Sequence, residues 1–113
     1  MNRRIRKQRA FLYFLLVANI NQQKLIVKSL TNEQLDVVSE IALNVYTGTY
    51  PLTKKYINQL KPYRPYIRSL GSREVSSKQK RAILLKHLPL VPLLLKPIVY
   101  HIAKNGERND ISA

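Results

Sequence analysis

Cysteine is absent from the 113 residues, and so is tryptophan. With no thiol, the chain has no disulfide framework, no thiolate nucleophile and no sulfur-ligated metal, and cysteine usage says nothing of the redox compartment. Acidic side chains are also scarce, six Asp and Glu against 20 Lys and Arg, which leaves a formal net charge of +14 and a pI near 10.4. A fold with that excess repels itself unless counterions or a partner neutralise it, so a polyanion is the expected partner. Long hydrophobic runs are missing as well. The stretch from Ala10 to Ala18 is about half the ~20 residues a spanning helix needs. Between residues 82 and 103, Pro89, Pro92 and Pro97 punctuate the apolar sequence and Lys86 and Lys96 interrupt it, which disfavours one unbroken span. The basic lead-in followed by Ala10 to Ala18 resembles a signal peptide only superficially, since Ala-x-Asn is a poor cleavage site, and the chain is not expected to be secreted.

What is present suffices for a fold. An apolar fraction of 45% is too high for a disordered basic tail, and the length fits one domain with a modest core. The expected class is all-α, a compact bundle of about five to seven short helices with a frayed basic N-terminus. Residues 1–9 are expected as a basic arm, 10–103 as one helical domain, and 104–113 as a flexible tail. Within the domain, 53–87 is the basic segment and 88–103 the apolar, proline-interrupted one.

The helix signals are local. Residues 3–18 are good helix formers without Gly or Pro, and Asn19 or Asn21 can stop one helix and cap the next. Leu25, Ile26 and Leu30 share a face of a short second helix. Thr31-Asn32-Glu33-Gln34 fits a capping box, followed by a stripe of Leu35, Val38, Ile41, Ala42 and Val45. Glu33, Asp36 and Glu40 lie off that stripe, so this helix is expected to be scaffold rather than polyanion contact. Gly48 and Pro51 mark a loop, and Thr53 is a plausible N-cap for the helix after it. From Lys54 to Leu70, Tyr56, Leu60, Tyr63, Ile67 and Leu70 fall on one side, with Lys54, Lys61, Arg64 and Arg68 adjoining. Pro62 and Pro65 predict two short helices or a sharp kink there. Gly71-Ser72 breaks the chain, and Ser76-Ser77-Lys78-Gln79 repeats the capping-box pattern before another helix. For 88–103, short core-filling helices are expected.

The candidate site is cationic. Residues 53–87 hold ten Lys and Arg and one acidic residue, Glu74, a density that neutralises phosphates with little regard to sequence. The expected contacts are Lys54, Lys55, Lys61, Arg64, Arg68, Arg73, Lys78, Lys80 and Arg81, together with Arg3, Arg4, Arg6, Lys7 and Arg9 of the arm. A charge run is more often a plain solvated face, but here the excess has one sign across the whole chain. Of the tyrosines, Tyr56 and Tyr63 belong to the apolar face, leaving Tyr66 as the exposed candidate for base stacking. His87 and His101 stand far apart without acidic neighbours, and no phosphate-binding glycine loop, dinucleotide fingerprint or zinc-finger spacing occurs. No catalytic residue, metal or cofactor is therefore expected.

The order of these parts resembles a known group. Leu30-Thr31-Asn32-Glu33-Gln34-Leu35-Asp36-Val37-Val38-Ser39-Glu40-Ile41-Ala42-Leu43-Asn44-Val45, Gly48, Pro51-Leu52-Thr53, the basic segment to Leu70, and Ser77-Lys78-Gln79-Lys80-Arg81-Ala82-Ile83-Leu84-Leu85 before Leu-Pro-rich sequence are similar to small proteins of Polinton/Maverick elements and adintoviruses, often compared with the adenovirus core-protein precursor X. The similarity spans about residues 22–100. It implies a virion-associated or genome-condensing role with double-stranded DNA as partner, in the virion or the host nucleus. Where members of the group have an uninterrupted basic helix, this chain has Pro62 and Pro65. The alternatives are a membrane-active or capsid-associated structural protein working through 88–103, and a sequence-specific helix-turn-helix reader. Oligomeric state is left open.

Overall fold

The computed structural model describes residues 3–112, with side chains described for 3–102. Its order is α1 (Arg3–Lys7), α2 (Arg9–Val17), α3 (Ile20–Lys28), α4 (Asn32–Tyr46), α5 (Lys54–Leu60), a single 3-10 turn (Lys61–Tyr63), α6 (Arg64–Gly71), α7 (Ser77–Lys86) and α8 (Leu90–Ser112). The protein is an all-α bundle, with no strand among the described residues.

Side-chain caps set the starts of α3, α4, α5 and α7. Thr31 and Gln34 at α4, and Ser76 and Gln79 at α7, form reciprocal capping boxes. Asn19 forms a third with Gln22 at α3, and Thr53 accepts from the Tyr56 amide at α5. Each cap satisfies an amide that the helix cannot, which stabilises by about 0.5–2 kcal/mol. Gly48, with φ 74°, takes the left-handed conformation that ends the α4 turn.

α4 runs through the middle of the bundle and touches α1, α6, α7 and α8, while α2 lies along α8. Val37, Ile41 and Ala42 of α4, Ile67 and Leu70 of α6, Leu84 of α7, and Leu90, Leu94, Leu95 and Ile98 of α8 form one buried cluster. The α4–α6 contact is close because Gly71 has no side chain. A Cβ there would stand 2.9 Å from the Leu43 Cα.

Four expectations are corrected. The basic arm is not loose through 3–9: Arg3–Lys7 is helical, and Ile5 is fully buried against the bundle. Nor is 3–18 one helix, since the chain turns at Gln8, which lets Ile5 and Leu12 both reach the core. After Pro89 there is one helix rather than several short ones. Pro92 falls in the first turn of α8, where its missing amide would have had no intrahelical partner anyway, so Pro97 alone sits inside the helix. Pro97 leaves the Leu93 carbonyl without its i+4 donor, and the Tyr56 hydroxyl of α5 donates to that carbonyl instead. The expected flexible tail, 104–113, is likewise helical as far as Ser112, where α8 ends.

Burial pushes the Tyr56 phenol up to about 12 from its ordinary value of 10.0. The folded state thus favours the neutral phenol, and this contribution is full below pH 10 and fades as pH rises through about 12. Tyr56→Phe should lower stability in denaturant melts at neutral pH by about 1–3 kcal/mol, the typical loss when a carbonyl is left unsatisfied. It should also flatten the decline of stability between pH 10 and 12. Gly71→Ala should destabilise by about 1–3 kcal/mol through overpacking on Leu43, read from the same melts.

Candidate nucleic-acid interface

A lysine or arginine binds phosphate only if its head group reaches solvent and is not already paired. The fourteen candidates divide on that test. Arg3, Arg4, Arg6, Lys7, Arg9, Lys54, Lys55, Lys61, Arg64, Arg68, Arg73 and Lys78 are exposed; Lys80 is buried and Arg81 half-buried.

Lys80 and Arg81 of α7 correct the expectation, because both serve the ends of other helices. The Arg81 guanidinium spans the C-terminus of α3, donating to the carbonyls of Val27 (2.8 Å), Lys28 (3.2 Å) and Leu30 (2.9 Å). A planar fork with several donors fits such a cluster of orphan carbonyls, and its charge complements the negative end of the helix. Lys80 donates to the Ser39 hydroxyl at 2.7 Å, and Ser39 in turn donates to the Leu70 carbonyl at 2.6 Å, in the last turn of α6. Loss of hydration lowers the Lys80 pKa from 10.5, with the charge of Asp36 opposing that shift.

The N-terminal cations lie beside the acidic helix. α1 touches α4, Arg4 pairs with Asp36 at 3.6 Å, and the Gln8 amide donates to Glu33 at 3.5 Å. This brings part of the arm's charge to carboxylates rather than to open solvent, though the Arg4–Asp36 pair is itself well exposed and worth little.

The central segment is different. Lys61, Arg64 and Arg68 stand three and four residues apart across the 3-10 turn and α6, so they share one exposed stripe. None of the three has a carboxylate within 4 Å among the described residues. Arg64 is steadied by the Tyr46 ring at the end of α4, its guanidinium carbon 5.4 Å from the ring centre, a cation–π contact that restrains the head group without neutralising it. Two hollows meet at this Tyr46–Arg64 pair. One, about 410 Å³, is walled by Tyr50, Leu52, Ile57 and Leu60 with Lys61 beside it. The other, about 530 Å³, runs past Arg68 to Ser72 and Glu74. Sequence reading found the three cations but missed Tyr46, whose role arises from the α4–α6 approach at Gly71 and has no local signal.

Tyr66 is not a free stacking platform. Its ring lies 3.9 Å from the His87 imidazole, tilted by 32°, and Tyr63 meets the same imidazole edge-on. Among the described residues no three His, Cys, Asp or Glu cluster as a metal site would require. The apolar side chains of α8, Leu90, Val91, Leu94, Leu95, Ile98 and Ile102, are core. No single described helix is long and apolar enough to cross a membrane; α7 with Leu90–Ile102 passes only as a pair bent by 102°. No protein-family model, curated protein or solved structure matches this chain.

The two inward-engaged cations should respond oppositely to removal. Arg81→Ala removes a donor from three carbonyls, of which Val27 keeps only the Leu30 amide, and should cost about 2–4 kcal/mol in a thermal or denaturant melt. Lys80→Met removes an ammonium whose pKa is depressed, so its charged form opposes folding at neutral pH and is relieved as pH rises toward 10.5. That variant should melt at the same or a higher temperature at pH 7.

Proposed function

We propose that this protein is a non-enzymatic, largely sequence-nonspecific binder of duplex DNA that neutralises and condenses its partner. In keeping with the resemblance to the small basic proteins of Polinton/Maverick elements and adintoviruses, its setting is a virion core or a virus-derived element, in the virion or the host nucleus. The observation that carries the reading is the stripe of Lys61, Arg64 and Arg68: exposed, without carboxylate partners among the described residues, and with Arg64 held over the Tyr46 ring beside two hollows. Lys54, Lys55, Arg73 and Lys78 extend the same basic segment and are likewise exposed. Cations held on a rigid face lose little entropy when they meet phosphate, and each contact releases a condensed counterion. Such contacts position a duplex without reading its bases.

The alternative, a membrane-active or capsid-associated protein working through 88–103, is less well supported, because the apolar side chains it calls on are occupied in the core.

The test is a salt titration of binding to duplexes of unrelated sequence. Affinity should fall steeply with salt, equally for every duplex. Replacing Lys61, Arg64 and Arg68 together by Gln should reduce the slope of log K against log salt by about 2–3, near 0.9 per phosphate contact. Lys80→Met should leave the slope unchanged, since that side chain is buried. Binding indifferent to salt would refute the mechanism, and one strongly preferred duplex would favour a sequence reader instead.

A further inference from the structure

Beyond Arg9, α2 (Arg9–Val17) is apolar on every side, a composition that normally means burial on every side. Here it is buried on one. Leu12 and Leu15 are in the core, and α2 lies along α8. Ala10, Tyr13, Phe14 and Val17 fall together on the opposite face, and Tyr13, Phe14 and Val17 are 58%, 59% and 58% exposed. Ile20, which opens α3, is 61% exposed and continues the apolar surface past the Asn19 cap. Three large side chains on one face of a nine-residue helix, with a fourth beyond the cap, form a patch rather than scattered exposure.

The surroundings of that patch fix the chemistry of its partner. Arg9 stands four residues before Tyr13, and Lys24 four after Ile20, so each cation shares a helix face with an apolar residue of the patch. Residues 3–28 contain no Asp or Glu. An apolar centre whose border within residues 3–28 is cationic is complemented by a surface both anionic and able to accept apolar groups. A second copy of this chain is not such a surface, since pairing α2 with α2 would crowd like charges from two molecules that each carry +14. Duplex DNA supplies the charge but offers no comparable apolar layer. An anionic bilayer supplies both.

We infer that α2, with the start of α3, is an interfacial docking element for the surface of an anionic lipid bilayer, lying in the headgroup layer with Tyr13, Phe14, Val17 and Ile20 turned toward the acyl chains. The bundle itself stays folded, because none of these side chains belongs to the buried cluster, whereas Leu12 and Leu15 remain in it. The site is separate from the Lys61–Arg64–Arg68 stripe and does not depend on the reading given to that stripe.

The chain lacks tryptophan, so Phe14→Trp introduces a single indole at the centre of the patch. Vesicles of phosphatidylcholine containing phosphatidylserine should shift its emission to the blue, and vesicles of phosphatidylcholine alone should shift it far less. Adding Tyr13→Ser and Val17→Ser should weaken vesicle binding at least about tenfold, as expected from the apolar area withdrawn, while circular dichroism and the DNA salt titration stay as in the parent. An indole that remains water-exposed on both vesicle types would overturn the proposal. So would vesicle binding that the two serines leave intact, which would mean charge alone holds the protein there. A blue shift that grows with protein concentration without lipid would also overturn it, by assigning the face to self-association.

Discussion

A chain cut into short helices has many helix ends, and each C-terminus leaves carbonyls that no amide of its own helix can reach. In this bundle several such carbonyls lie wholly or partly out of reach of water, so the fold draws on side chains of neighbouring helices as donors. Arg81 reaches the end of α3, Ser39 the last turn of α6, and the buried Gln23 amide donates to the Leu15 carbonyl near the end of α2. Tyr56 does the same for the carbonyl that Pro97 orphans within α8. Except for Gln23, which joins the successive helices α2 and α3, these bonds join elements far apart in sequence, and they do what apolar contact cannot, which is to fix the position of one helix along another. An unsatisfied buried carbonyl costs about 1–3 kcal/mol, a large share of the stability of a domain this small.

That constraint divides the positive charge. A cation used to end a helix is lost to a partner, and a cation at the phosphate-facing surface must have no such duty. Lys78, Lys80 and Arg81 are near neighbours on α7 and look equivalent by composition, yet one is exposed and two are engaged inside the molecule. What separates them is phase. Lys80 stands four residues before Leu84, the fully buried leucine of α7, and so shares its inward face. That signal was legible, and a charge count over the segment passes over it. Arg81 gave no comparable sign, because its partners at Val27, Lys28 and Leu30 come from a helix some fifty residues away.

Legibility followed the range of the interaction elsewhere too. Caps are matters of three or four residues, and Thr31, Thr53 and Ser76 do in the structure what their spacing predicts. Pro62 and Pro65 likewise divide α5 from α6 through a 3-10 turn. The break at Gln8 has no local cause among good helix formers; it answers to the burial of Ile5 against the bundle, a tertiary demand. The continuity of α8 was hidden for the opposite reason. Its three prolines carry the same weight in a composition, but they occupy a preceding turn, a first turn and an interior, and only the last removes a bond the helix needs.

The stripe at Lys61, Arg64 and Arg68 exists because of a residue that carries no side chain. Gly71 lets α6 approach α4 until there is no room for a methyl group beside Leu43, and this approach brings Arg64 over the ring of Tyr46 at the end of α4. The same closeness turns Ile67 and Leu70 of α6 into the core, which leaves the other side of the helix, with its cations, nowhere to go but outward. The acidic side chains of α4 near its start lie beside α1 instead, as the Arg4–Asp36 pair marks. α4 therefore orders the electrostatics as well as the core: the carboxylates near its start lie beside the N-terminal segment, and the α6 stripe has no carboxylate within 4 Å among the described residues.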